Sequence, residues 1–127
     1  MADKEYPVGA LPLMATSGNV AAASAVATIA ADAARYNYIT KLEITYAGAT
    51  AAAIVVATIT GLLNATPSYI IAAPVGALVG GTPLVIAFSP PIRTAAINTA
   101  IVATLPSLGA GNTNACVNIY GYSYPIG

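Results

Sequence analysis

The sequence predicts an all-β domain, an antiparallel β-sandwich of jelly-roll type with an extended N-terminal arm. About seven or eight short apolar runs are separated by turns rich in glycine, proline and asparagine, the spacing typical of sandwiches. One run, 36–47, alternates with the period of two that a strand requires. The length of 127 residues suits one domain. We therefore expect an arm over 1–19 and a single sandwich over 20–127.

The arm is predicted from residues that interrupt regular structure, namely Pro7, Gly9, Pro12, Gly18 and Asn19. Its apolar side chains are Val8, Leu11, Leu13 and Met14. An apolar arm of this kind is expected to lie across another surface, either a partner protein or a sister subunit. The alternative is a frayed terminus.

The next two segments differ in how clearly they predict a strand. Alanines over 21–34 favour a helix, but the segment lacks a clear three-four spacing, so we predict a strand over 20–30 and a turn over 32–35. The 36–47 run is the clearest strand. Its predicted faces are Tyr38, Thr40, Leu42, Ile44 and Tyr46 on one side, and Ile39, Lys41, Glu43 and Thr45 on the other.

The remaining strands are bounded by turn residues. The run 53–60 is β-branched and nearly continuous in apolarity, which predicts burial on both faces. The other predicted strands are 68–73, 84–88, 99–105 and 115–122. In the last of these, Val117 and Ile119 are expected on one face, with Cys116, Asn118, Tyr120 and Tyr122 on the other.

Charge is scarce, which bounds the possible partners. The chain has four basic and four acidic residues, 6% of its length, and none of them lies between 44 and 92. Without a basic patch, nucleic-acid binding is not expected. The run 47–63 is uncharged, but threonines interrupt it and no basic flank follows, so a membrane span is not expected either. A chain with no net charge tends to associate, so either most of its surface is covered by other protein or its Thr, Ser, Asn and Tyr side chains keep that surface hydrated.

Groups for catalysis are almost absent. There is no histidine, and the two carboxylates outside the arm, Asp32 and Glu43, are expected to be a turn residue and an exposed strand residue. The single cysteine, Cys116, is expected to be a strand residue without special reactivity. We therefore predict no enzymatic activity and no catalytic, cofactor-binding or metal-binding residues.

Tyrosine is the one residue class whose distribution indicates a role. Tyr36, Tyr38 and Tyr46 lie on or beside one strand, and Tyr120, Tyr122 and Tyr124 alternate near the C-terminus. Tyrosine offers apolar contact area with a polar tip, which suits a neutral interface. A carbohydrate-binding stripe and ordinary packing on a sheet are the alternatives. The predicted interface residues are Val8, Leu11, Leu13, Met14, Tyr36, Tyr120, Tyr122 and Tyr124.

Several short segments of the sequence resemble a known class of protein. They are 38–45, 48–50, 98–106, 108–111 and 117–122. In these segments the chain resembles the Ala/Gly/Thr-rich β-domains of tailed-bacteriophage capsid decoration (cement) and head-fibre proteins, over about residues 20–124.

This resemblance implies a non-enzymatic structural protein of the virion. Such a protein is made in the bacterial host cytoplasm, binds the major capsid protein on the capsid exterior, and stabilises the head by bridging capsid subunits. It implies a homo-oligomer, with a trimer favoured and a dimer as the alternative, and no cofactor, nucleic acid or membrane. A fibre or tail component and a carbohydrate-binding sandwich module are the alternative functions.

Overall fold

The computed structural model describes residues 7–125, and this part of the chain forms eight strands and no helix. The strands are β1 (Leu11–Thr16), β2 (Ala25–Ile29), β3 (Arg35–Tyr46), β4 (Ala53–Thr60), β5 (Ser68–Ala73), β6 (Leu84–Arg93), β7 (Ile101–Leu105) and β8 (Ala115–Pro125). Nothing within the described range could cross a bilayer as a helix. The prediction of an all-β fold is confirmed.

Two four-stranded sheets pack face to face. Sheet A has the order β1-β8-β3-β6 and sheet B the order β2-β7-β4-β5, with every neighbouring pair antiparallel. Their inner faces meet in one apolar core that includes Ile39, Leu42, Ile44, Ile59, Ile101, Leu105, Val117 and Ile119. Burying one such side chain contributes about 1.5–3 kcal/mol. The predicted β-sandwich is therefore confirmed.

Part of the predicted arm belongs to the sandwich. Residues Leu11–Thr16 form strand β1 and pair with β8, so the prediction that 1–19 lacks regular structure is wrong for this segment. The amide of Ser17 donates to the carbonyl of Val117 at 2.9 Å. Continuing that register, the nitrogen of Pro12 points away from β8, where a proline costs no ladder hydrogen bond. Residues 1–6 of the predicted arm lie outside the described range.

The segment 20–30 is a strand, as predicted, but a shorter one. Strand β2 covers Ala25–Ile29, and Val20 forms only an isolated bridge to Ala115. The helix that the alanines favoured does not form, because Ala25, Ala27 and Ile29 alternate into the core with a period of two.

The face assignment of β3 is wrong in its first half. Ile39 is buried together with Leu42 and Ile44, whereas Tyr38 faces outward opposite Tyr122. The cause is a β-bulge between Ile39 and Lys41, which reverses the alternation along the strand. Strand β8 keeps a regular alternation, and its predicted faces are confirmed.

The predicted double-sided burial of β4 is also wrong. Ala57 and Ile59 are buried, but Ile54 is 75% exposed and Val56 is exposed as well. An antiparallel sheet in a sandwich has one face toward the core and one toward solvent, and Ile54 and Val56 lie on the solvent side.

Candidate binding surfaces

The outer face of sheet A gathers tyrosines from distant parts of the chain. Strands β3 and β8 are neighbours, and their register places Tyr36 opposite Tyr124 and Tyr38 opposite Tyr122. Tyr120 lies opposite Lys41 on the same face. We call Tyr36, Tyr38, Tyr120, Tyr122 and Tyr124 the tyrosine face. The sequence indicated these residues, and the register explains why they meet.

Two aromatic contacts hold Tyr36, Tyr38 and Tyr122 in place on the tyrosine face. The rings of Tyr38 and Tyr122 stack with their centroids 4.8 Å apart and their planes 13° apart. The guanidinium of Arg93 lies 4.3 Å from the centroid of Tyr36, a cation–π contact. Tyr122 is only 6% exposed, and its burial raises the pKa of its phenol. Tyr122 is therefore a packing residue with little area for a partner.

Around Tyr120, the tyrosine face carries a polar cluster. The hydroxyl of Tyr120 donates to Glu43 Oε1 at 2.8 Å, and Lys41 Nζ lies 3.0 Å from Glu43 Oε2. The hydrogen bond from Tyr120, followed by the interactions with Lys41, lowers the pKa of the Glu43 carboxyl. The same hydrogen bond raises the pKa of Tyr120. Both oxygens of the Glu43 carboxylate are thus engaged, one by Tyr120 and the other by Lys41.

Asp32 and Glu43 do not share a bonding network that could form a paired-carboxylate site. Asp32 Oδ1 accepts the amide of Ala34 at 2.9 Å, as a turn residue does, while Glu43 is engaged by Tyr120 and Lys41. Over residues 7–125, no group of three or more His, Cys, Asp or Glu side chains could hold a metal ion.

The apolar residues predicted in the arm separate into two groups. Met14 lies opposite Tyr120, on the tyrosine face, and is exposed. Val8 and Leu11 are exposed too, whereas Leu13 points inward and packs against the core. Of the predicted interface residues, the structure therefore brings Met14, Tyr36, Tyr120, Tyr122 and Tyr124 to one face, on which Tyr122 is nearly covered, whereas Leu13 points inward.

The outer face of sheet B is a second surface, and the sequence reasoning missed it. We call it the uncharged face. Its residues are Val26, Thr28, Ile54, Val56, Thr58, Thr60, Ser68, Ile70, Ala72, Val102 and Thr104. Ile54 and Ile70 are 75% and 76% exposed. The strand period of two within 53–60 could have indicated this exposed face, but both faces of that run carry apolar residues, which made it resemble a fully buried strand.

The loop after β5 exposes further apolar side chains. Leu78 is 96% exposed and Val75 is exposed too. Backbone bonds hold the loop: the amide of Gly76 donates to Ala49 at 2.7 Å, and that of Gly48 donates to Val79 at 2.9 Å. A Cβ on Gly48 would collide with the carbonyl oxygen of Pro74, so this close approach requires glycine. Leu78 is therefore presented by a fixed loop.

A cleft of about 610 Å³ lies beside β6. It forms where β6 bulges away from β3: Ile39 pairs with Ile92, but Lys41 pairs with Ala87, so residues 88–91 of β6 have no partner on β3. Its walls include Tyr38, Phe88, Pro90, Pro91 and Arg93. Nη1 of Arg93 donates to the carbonyls of Thr94 and Ala95 at 2.9 and 3.4 Å, so part of its donor capacity is already used.

Comparisons of the chain with protein-family models, with curated proteins and with solved structures found no match. Function is therefore inferred from the geometry and chemistry of the two outer faces.

Proposed function

We propose that this protein is a non-enzymatic capsid decoration protein, which binds the outer surface of a virus head and stabilises it by bridging major capsid subunits. The uncharged face is the observation that carries the proposal. This whole sheet surface is made of Val, Ile, Ala, Thr and Ser, and it exposes large aliphatic side chains to solvent. Extended apolar surfaces of this kind mark protein interaction sites.

The chemistry of the uncharged face suits permanent docking. Buried charges need partners to offset their desolvation, and a surface without charge avoids that cost. Threonine and serine hydroxyls keep the free protein wetted and can still donate or accept across an interface. Each contact contributes little, but repetition over many copies on a shell multiplies the effect.

The strand order supports a jelly-roll topology for this scaffold. The chain passes between sheets so that the orders become β1-β8-β3-β6 and β2-β7-β4-β5. This is the arrangement expected of eight strands wound as two Greek keys, which is the jelly roll found in many viral structural proteins.

The resemblance to phage decoration and head-fibre proteins supports the setting. In that setting the protein is made in the bacterial host cytoplasm, resides on the capsid exterior, and acts as a homo-oligomer, trimeric or dimeric. A fibre or tail component with the same sandwich is the alternative assembly role.

A binding experiment with undecorated heads tests the proposal. Ile54→Lys places a charge on the uncharged face, and we expect it to weaken head binding by about tenfold or more, because the ammonium must be desolvated without a partner. Met14→Lys is the matched control, since Met14 is also exposed but lies on the tyrosine face. Bound protein is measured by co-sedimentation with heads.

The result that would overturn the assignment is equally clear. If Ile54→Lys binds heads as well as the unchanged protein while Met14→Lys does not, the contact lies on the tyrosine face. If the unchanged protein does not bind heads at all, the decoration function is wrong.

A further inference from the structure

Strand β5 forms an open edge of sheet B. One side of β5 pairs with β4, and β5 ends the order β2-β7-β4-β5. The amide of Ile59 donates to the carbonyl of Pro67 at 3.1 Å. Continuing that register along β4 and β5, the backbone groups of Ser68 and Ile70 point away from β4.

A side-chain contact supports this direction. The hydroxyl of Tyr46 donates to the carbonyl of Ala72 at 3.1 Å from the side opposite β4. Ser68, Ile70 and Ala72 alternate along β5, so their backbone groups all point away from β4. The carbonyl of Ala72 is already bonded to Tyr46. The outward amides and carbonyls of Ser68 and Ile70 are left for a further strand.

The edges of sheet A are protected, and β5 is not. Proline interrupts β1 at position 12 and β6 at positions 90 and 91. Proline and charge are the usual means of preventing edge-to-edge pairing. Strand β5 itself has neither, although Pro67 and Pro74 flank it and the amide of Ala49 donates to the carbonyl of Pro74 just beyond it, so the unprotected part of this edge is Ser68 to Ile70. The other edge strand of sheet B, β2, is followed closely by Asp32 and Arg35.

We propose that β5 pairs antiparallel with β5 of a second copy of this chain. Ser68 of one copy then lies opposite Ile70 of the other, and the reverse pair forms at the same time about a two-fold axis beside Tyr69. Each pair exchanges two backbone hydrogen bonds. The two four-stranded sheets join, and their uncharged faces become one continuous surface.

The edge of β5 is complementary to itself, which is why we infer that a second copy of this chain binds there. The same two residues supply both sides of the contact, which is the self-complementarity that a two-fold interface requires. No like charges are brought together, because neither β5 nor the β4 strand beside it carries one. The inference does not depend on capsid binding.

Cross-linking tests the register. In a Cys116→Ser background, protein carrying Ser68→Cys is mixed with protein carrying Ile70→Cys under mild oxidation, with the two copies made different in size. We expect the mixed disulfide dimer to predominate, because residues directly opposite in a bonded pair lie about 5.5 Å apart at Cα. Ile54→Cys replaces Ile70→Cys in the control, since Ile54 is equally exposed but lies one strand from the edge.

Sedimentation tests the dimer in the absence of any cross-link. We expect the unchanged protein to dimerise and Ile70→Pro to weaken dimerisation at least about tenfold, because proline removes an outward N–H that β4 does not use. Ile70→Thr keeps that N–H and should remain dimeric. A monomer at roughly 100 µM for the unchanged protein, or a mixed cross-link no stronger than the control, overturns the proposal.

Discussion

At the scale of single residues, Asn112 joins separate segments at one end of the sandwich. It is 2% exposed, and its Nδ2 donates to the carbonyls of Ala47, Gly48 and Asn114 at 2.8, 3.2 and 3.2 Å. Its Oδ1 accepts the amide of Ala22 at 3.4 Å. The bonds to Ala47 and Gly48 satisfy carbonyls of the loop before β4, where a buried acceptor needs a donor, whereas the carbonyl of Asn114 also accepts the amide of Ala47.

We expect Asn112→Asp to lower the free energy of unfolding by about 3 kcal/mol at neutral pH, because a carboxylate would face carbonyl oxygens that need a donor. The surroundings would raise the pKa of the introduced carboxyl, so stability should recover as the pH falls through that pKa and the group becomes neutral. Urea unfolding at several pH values measures this.

Asn114→Asp is the control for that change. Asn114 is exposed, so its substitution should change the unfolding free energy by only about 0.5 kcal/mol. Equal losses at the two positions would contradict the role given to Asn112. Nothing local in the sequence distinguishes a buried turn asparagine from an exposed one.

At the scale of elements, β1 shows how an edge strand accommodates proline. The register set by the Ser17–Val117 bond turns the nitrogens of Pro12 and Met14 toward solvent and that of Ala15 toward β8. The effect of a new proline should therefore depend on which of two adjacent residues it replaces.

We expect Met14→Pro to be tolerated within about 1 kcal/mol, and Ala15→Pro to cost on the order of 2–3 kcal/mol, because only the second removes a hydrogen bond to Ile119 and forces the strand off β8. Thermal unfolding of both variants measures the difference. Equal melting temperatures would mean that β1 does not pair with β8 in this register.

The strands were predictable because alternation and turn residues are local signals. The faces of β3 were not, since one extra residue at the bulge after Ile39 reverses every later side chain, and the bulge depends on pairing with β8. The uncharged face was missed for another reason. Ile54 and Val56 have the composition of a core, and only the position of β4 in its sheet exposes them.

At the scale of the whole molecule, the two outer faces differ in charge. Lys41, Glu43 and Arg93 lie on the tyrosine face, while the uncharged face has no charged residue among its strands. Screening by salt acts on interactions between charges. The salt response of head binding therefore reports which face makes the contact.

We expect head binding through the uncharged face to change less than about twofold between roughly 0.05 and 0.5 M sodium chloride, and to strengthen in sulfate, which favours apolar burial. Co-sedimentation over a salt series measures this. A steep loss of binding with added sodium chloride would instead indicate a contact made by the charged cluster beside Tyr120.

The place of β8 in sheet A sets an order of events during synthesis. Strand β8 lies between β1 and β3, so these strands have no direct pairing and are joined only through the last of the eight strands to leave the ribosome. Until then β1 has no partner in its own sheet, and the pairing that closes sheet A spans most of the chain. Such long-range closure is slow in folding proteins. The nascent chain therefore exposes apolar strands until β8 has been made, and aggregation competes with folding during that time.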